Sequence, residues 1–441
     1  MVDMPHDHPS NDSDSIQDDF FDQLHPADAA DHLENLTLEE QVVMVCSLSP
    51  EDAASSIAEM DSLDRVSLMT RLRPQLAADI LTLMSPDDAA DLVAELQPEI
   101  RKAIFRELDQ EDAAEIKSLL MYDPDSAGGV MNTEILVLDE NLTADQAVTI
   151  IRRQVEESEI PYYAYMVDEY RHLKGVLSLR DIMVSPVGKK LKELLVEQNL
   201  IAVTFDTDKE EVAKLIDRYN FLALPVVDHG QRILGTVTVD DVIDIIQEEA
   251  SEDMQQMVGA GADETIDSPW SYSLRMRMPW LFVNLLNSAV SAWVVHLFEG
   301  SIEQMAILAV LMPIVANQAG NTGQQSLAVM IRQLAMERFD RRKVWMAVAR
   351  EAKIGLVNGL IIGLATFGGV ILVFQRPLLA GVMALALLFD MLLGAVAGAS
   401  IPLILKELGR DPAQASSIFL TTLTDSMGFF VFLSMAGMFL L

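Results

Sequence analysis

The sequence predicts a multidomain membrane protein: an all-α superhelical N domain, a tandem of α/β domains, and an α-helical transmembrane domain of five helices. Three observations carry this reading. Charge is divided unevenly: residues 271–441 hold 12 Lys+Arg and 9 Asp+Glu, net +3, so a chain whose total is −36 keeps net −39 in residues 1–270. The front of the chain repeats at multiples of twelve residues. The back contains apolar runs, each able to supply the ~20 residues that one spanning helix needs.

The domain limits follow from these changes of pattern. Residues 1–20 are rich in Ser, Asp and His and read as a disordered acidic tail without the apolar core of a signal peptide. The helical N domain covers 21–125, the α/β tandem 126–249, a connecting helix 250–272 and the transmembrane domain 273–441. One cysteine, Cys46, excludes an internal disulfide framework and cysteine-rich metal sites. The acidic balance gives no support for a nucleic-acid partner.

In 21–120 the pair Ala29-Ala30 recurs as Ala53-Ala54, Ala77-Ala78, Ala89-Ala90 and Ala113-Ala114, at steps of 24, 24, 12 and 24 residues. Helix-start signals precede the copies, as in Ser49-Pro50-Glu51-Asp52 and Ser85-Pro86-Asp87-Asp88. Twelve residues make one short helix and a turn, so the region is expected to be a stacked solenoid. Asp87 and Asp91 fall on one helix face at i and i+4, either as cation ligands or as a solvated face.

Residues 121–250 alternate short β-rich segments with helices, twice: Tyr162–Asp168 with Leu173–Asp181, then Phe221–Asp228 with Ile233–Asp241. A Ser or Thr three residues before an Asp closes each copy, at Ser178/Asp181 and Thr238/Asp241. This tandem resembles a pair of CBS domains. The resemblance implies that these residues, with Arg180 and Phe221, hold an adenine nucleotide such as ATP; the same Asp residues also serve as ordinary helix caps. Beyond them, acids at 241, 244, 248 and 252 recur at helical spacing as a carboxylate stripe, whose repulsion a divalent cation would relieve.

The apolar spans lie at roughly 279–298, 302–334, 350–374, 378–405 and 412–440. Lys and Arg gather before the first span, between the second and third, and between the fourth and fifth, which predicts a cytoplasmic N-terminus and an outside C-terminus. Asp425 stands alone inside the fifth span. A carboxylate at membrane depth costs roughly 2.5–3.5 kcal/mol and marks a pathway or a partner. With Thr hydroxyls and carbonyls nearby, its oxygen-only surroundings suit hydrated Mg²⁺. The second span contains Pro313, Gly320, Gly323 and a run of amides, and reads as an interrupted, pore-lining segment.

Taken in order, the helical repeats ending in Tyr122-Asp123-Pro124-Asp125-Ser126-Ala127-Gly128-Gly129-Val130-Met131, the CBS-like tandem, the acidic connecting helix, Gly320–Ser326, and Asp411-Pro412-Ala413 followed by Thr421–Asp425 resemble the MgtE family of magnesium channels and transporters. The resemblance spans about 22–441. It implies a transport protein and not an enzyme: a multi-pass homodimer of the cell (inner) membrane, moving Mg²⁺ and other divalent cations. It implies that Asp425 of each subunit holds hydrated Mg²⁺, helped by carbonyls around Thr421. It further implies that cytoplasmic Mg²⁺ bridges Asp87, Asp91, Asp241, Asp244, Glu249, Glu252 and Asp253 and closes the pore, with the connecting helix as a plug.

Two features depart from that pattern. Asp390 lies mid-way along the fourth span, as a second pathway acid or as the partner of a polar group in the second span. The segment Gly259-Ala260-Gly261-Ala262-Asp263-Glu264 is Gly-rich, which predicts a break in the plug helix. Two competing functions are a nucleotide-sensing membrane regulator that transports nothing and a transporter chiefly of Mn²⁺ or Co²⁺. The regulator would need neither Gly320–Ser326 nor Thr421–Asp425. An anion channel is disfavoured by two intramembrane acids.

Overall fold

The computed structural model describes residues 24–154, 162–195, 200–262, 264–266, 268–336 and 341–441; the expected acidic tail at 1–20 lies outside the described residues. The chain divides into two compact units, 1–246 and 247–441.

The first unit opens with short helices: α1 (Pro26–Glu34), α2 (Leu38–Val45), α3 (Pro50–Ala58), α4 (Ser62–Arg71), α5 (Pro74–Leu83), α6 (Pro86–Glu95), α7 (Pro98–Ile104) and α8 (Gln110–Leu119). Pro26, Pro50, Pro74, Pro86 and Pro98 sit at first helical positions, where the missing N–H has no helical partner to lose. Thr37 and Glu40 close a capping box, and Ser49 accepts from the Asp52 amide at 3.1 Å. Alternate helices stack, α1 on α3 on α5 on α7 and α2 on α4 on α6 on α8. The buried pairs at 29–30, 53–54, 77–78 and 89–90 are small enough to allow this approach. Ala114, in the last repeat, is exposed.

The α/β tandem follows. Strands β1 (Leu136–Asp139), β2 (Tyr163–Val167) and β3 (Leu173–Ser178) form one sheet, with α9 (Ala144–Gln154) and α10 (Leu179–Met183). Strands β4 (Val203–Thr204), β5 (Ala223–Val227) and β6 (Ile233–Thr238) form the second, with α11 (Lys209–Tyr219). In both, the first strand runs parallel to the second and the second antiparallel to the third; Ala164 faces Leu177, and Leu224 faces Val237. The two repeats pair through their turns, where Leu173 N–H donates to Gln231 and Ile233 N–H to Arg171. Tyr165 and Thr236 share a buried hydrogen bond of 2.6 Å. The segment after α8 binds the second repeat: Ala127 N–H donates to Thr207 and Gly128 N–H to Phe205, while Asn132 and Thr236 exchange backbone bonds of 2.8 and 2.9 Å. The N domain is thereby fixed against the second repeat. Helix α12 (Val239–Met257) follows, and the boundary between the units falls within it.

The second unit contains α13 (Trp270–Leu297), the short α14 (Glu299–Gln304), α15 (Ile307–Met336), α16 (Arg341–Phe374), α17 (Pro377–Glu407) and α18 (Ser416–Phe439). Four of these are long and apolar enough to cross a membrane: α13, α16 from Arg342, α17 and α18. Helix α15, at the expected second span, is not among them, because its amides dilute its apolar character. It is also not interrupted. Gly320 and Gly323 are helical, and α15 runs unbroken past Pro313, which lies in its second turn. The expectation of irregular backbone there is corrected. The small residues serve helix packing instead: α17 lies against α15, α16 and α18, and a Cβ on Gly398 of α17 would fall 2.1 Å from the Gly323 carbonyl oxygen of α15. The connecting helix ends at Met257, and Gly259 has φ +80°, as the Gly-rich segment suggested; Asp263 lies outside the described residues.

Candidate functional site

Helix α18 carries Asp425, half-buried, in a stretch whose hydroxyls bond back to their own helix. Thr421 donates to the Ser417 carbonyl at 2.5 Å, Thr422 to Ile418 at 2.8 Å and Thr424 to Leu420 at 3.1 Å. Such back-bonding lets a polar run sit at membrane depth. It also engages the Thr421 hydroxyl, while the Thr421 carbonyl accepts from the Thr424 hydroxyl at 3.2 Å. Ser426 and Ser291 share a hydrogen bond of 2.9 Å that ties α18 to α13.

Helix α15 has two faces. Ala319, Gly323, Ser326 and Leu327 are buried, whereas Asn317, Asn321 and Gln324, at i, i+4 and i+7, are exposed. A face of exposed amides calls for water or another protein surface and is unsuited to lipid.

Asp390, on α17, is 1% exposed. Neither carboxylate oxygen has a hydrogen-bond partner among the described residues, so of the two alternatives for Asp390 the pairing with a polar group of the second span does not occur. The carboxylate lies instead against Gly428 of α18, one turn from Asp425 along that helix.

In the first unit the sequence-predicted acids are only partly brought together. Asp87, on α6, is 8% exposed and accepts from Asn132 Nδ2 at 3.2 Å. Burial first, and then the charges of Asp241 and Asp88, push its carboxyl up to about 7. Burial likewise pushes Asp241 up to about 6, against hydrogen bonds from the Thr238 hydroxyl and amide and with Asp240 and Asp88 adding repulsion. Asp91 and Asp244 are exposed on α6 and α12. Glu249, Glu252 and Asp253 belong to the second unit, where Gln256 donates to Glu252. Among the described residues no three His, Cys, Asp or Glu side chains converge tightly enough to hold a bare metal ion. A strongly hydrated Mg²⁺, held through its waters, does not need such convergence.

Both nucleotide-motif pairs are occupied as helix caps. Ser178 accepts from the Asp181 amide at 3.1 Å and donates to its carboxylate at 2.6 Å. At the second pair the Asp241 carboxylate accepts from both the Thr238 hydroxyl and the Thr238 amide. Arg180 is exposed, and Phe221 stacks on Tyr219 at 5.4 Å between centroids. Asp241 therefore also belongs to the acidic group around Asp87.

Family models match in sequence order: the MgtE intracellular N domain over residues 24–125, CBS domains over 127–187 and 191–248, and the MgtE divalent cation transporter over 312–435. The magnesium transporter MgtE of Enterococcus faecalis is 37% identical over 326 residues, 74% of this chain and 71% of that protein. The chain belongs to the MgtE family. The magnesium transporter MgtE of Thermus thermophilus is 35% identical over 328 residues, 74% of this chain and 72% of the relative. Among solved structures, the soluble part of a magnesium transporter is similar at 34% identity and TM-score 0.52, covering 54% of this chain and 94% of that one. The cytosolic domain of the Mg²⁺ channel MgtE in complex with ATP is similar at 32% identity and TM-score 0.50, covering 53% and 98%.

For an MgtE-family chain, sequence reasoning missed Asp88 and Asn132. Asp88 had a signal, being adjacent to Asp87 in the same first turn. Asn132 had none, since 45 residues separate it from Asp87.

Proposed function

We propose that this MgtE-family protein moves Mg²⁺ across the membrane, with Asp425 as the carboxylate that meets the hydrated ion. The observation that carries this is a half-buried acid on a helix of back-bonded threonines, in a bundle whose α15 leaves an amide face uncovered. Relatives named magnesium transporters, aligned over about three quarters of the chain, support Mg²⁺ as the cargo over Mn²⁺ or Co²⁺, and a transporter over a purely sensing regulator.

The protein works as a homodimer. A second copy brings a second Asp425, and two carboxylates match the charge of one dication. The amide face of α15 then borders the water-filled path instead of lipid. The chain lies in the inner membrane with a cytoplasmic N-terminus and an outside C-terminus, as the Lys and Arg distribution favours.

Cytoplasmic Mg²⁺ closes the path. Asp87, Asp88 and Asp241 repel one another at the junction of the N domain and the second α/β repeat, and a dication among them removes that repulsion. Asp91 and Asp244 extend the acidic surface of the first unit, Glu249, Glu252 and Asp253 add carboxylates on the second, and 250–272 acts as the plug. ATP is a second ligand, with Ser178, Arg180 and Asp181 at the capped start of α10 as the side chains that meet it. The test is divalent flux into liposomes with Mg²⁺ varied on each face. Flux that ignores Mg²⁺ on the cytoplasmic face removes the gate, and absence of Mg²⁺ flux removes the function.

A further inference from the structure

We propose that Asp390 and Gly428 form a second-acid element of the pathway: Asp390 is a positioning residue whose buried carboxylate, admitted by the missing side chain of Gly428, tunes the cation preference at Asp425. This rests on the reading that Asp425 meets the ion.

The geometry is specific. A Cβ on Gly428 would fall 2.2 Å from Asp390 Oδ2 and 2.8 Å from its Cγ, so the carboxylate fills the volume that any other residue at 428 would occupy. Gly428 follows Asp425 by three residues and shares its face of α18. Asp390 thus packs on the side of α18 that carries Asp425, with both oxygens unpartnered among the described residues. A carboxylate that only filled space would be matched by an apolar side chain and spared the penalty of burying a polar group without a partner. That penalty is offset when a dication stands nearby, because attraction through a low-dielectric interior is weakly screened. A hydrated ion is held mainly by field and by water-mediated bonds, so an added negative charge favours the ion that keeps its waters. Asp390 acts on the ion through that field and not as a direct ligand.

The test uses the full-length protein in proteoliposomes, reading the Mg²⁺ concentration at half-maximal flux and the Mg²⁺/Mn²⁺ preference, with melting temperature and oligomeric state measured in parallel. Asp390→Asn keeps the shape and removes the charge. It should raise the half-maximal concentration about tenfold and narrow the preference for Mg²⁺. Asp390→Ala/Gly428→Asp returns a carboxylate from the opposite helix into the vacated space and should recover both properties relative to Asp390→Ala. Unchanged half-saturation and preference in folded Asp390→Asn overturns the proposal. So does a folded double variant no better than Asp390→Ala, which decides the matter if Asp390→Asn does not assemble. Loss of flux in Asp425→Ala alongside wild-type behaviour in Asp390→Asn overturns this inference alone; wild-type flux in Asp425→Ala overturns the pathway on which it rests.

Discussion

Asp87 and Asp390 are both buried carboxylates, each near a second acid, yet their surroundings differ. Asp87 sits at a junction of helix and loop, with an amide from Asn132 bonded to it and exposed acids on the same elements. Asp390 sits inside a helical bundle with no hydrogen bond to either oxygen among the described residues. In the first unit, repulsion can be relieved from outside by a cation arriving from water, as the proposed gate requires. In the second, the carboxylate is fixed by helix packing against Gly428, as the proposed tuning of cation preference requires. The same residue type is therefore read as a switch in one place and as a fixed field in the other.

The comparison breaks most visibly at Asp425. Asp425→Ala and Asp425→Asn should each reduce divalent flux to the liposome background while the protein still folds, because removing an intramembrane charge eases insertion. Wild-type flux in either would leave the second unit without a pathway.

The next effect lies in the sensing group. In full-length protein, millimolar Mg²⁺ should protect residues 24–246 from protease better than Na⁺ at matched ionic strength. Asp87→Asn/Asp241→Asn should abolish that difference and stabilise the first unit by about 1–3 kcal/mol at neutral pH, since two strained ionisations disappear. A double variant that keeps the full Mg²⁺ response would place the sensor elsewhere.

A pH series sharpens the same point. Both acids are raised above the ordinary 3.8, to about 7 and about 6, so the folded unit holds more protons than the unfolded chain in that interval. Their contribution to stability is complete below 3.8 and is lost as pH rises through about 6 and then about 7. In chelator, the first unit's melting temperature should fall across this window, and saturating Mg²⁺ should flatten the fall. A level profile in chelator would show that burial and repulsion do not raise the two acids.

The smallest effect is expected at Ser178. Ser178→Ala removes the cap of α10 and should cost about 0.5–2 kcal/mol. It should weaken ATP binding without altering flux at fixed Mg²⁺. Unchanged ATP affinity would move the nucleotide away from Ser178, Arg180 and Asp181.

Much of the architecture was legible because it is written in local spacing. The Ala pairs announce close helix approach, Pro and Ser mark helix starts, and two strand–turn–strand copies announce the tandem. Asp425 was legible for a similar reason: one charge in an apolar run is conspicuous without any neighbour. The acidic stripe was legible as a pattern but not as a site, since Asp87 and Asp241 join through a fold that also brings in Asn132 and Asp88.

By itself, then, the sequence determined the order of domains, the periods of the helices and the single intramembrane acid on α18, all properties of residues near one another in the chain. Only the tertiary structure decided that α15 is one unbroken helix with a packed face and an amide face, because Gly and Asn tolerate a helix when a neighbouring helix fits against them. It alone placed Asp390 against Gly428. A carboxylate's neighbours across a bundle depend on helix crossing and register, which no local pattern encodes.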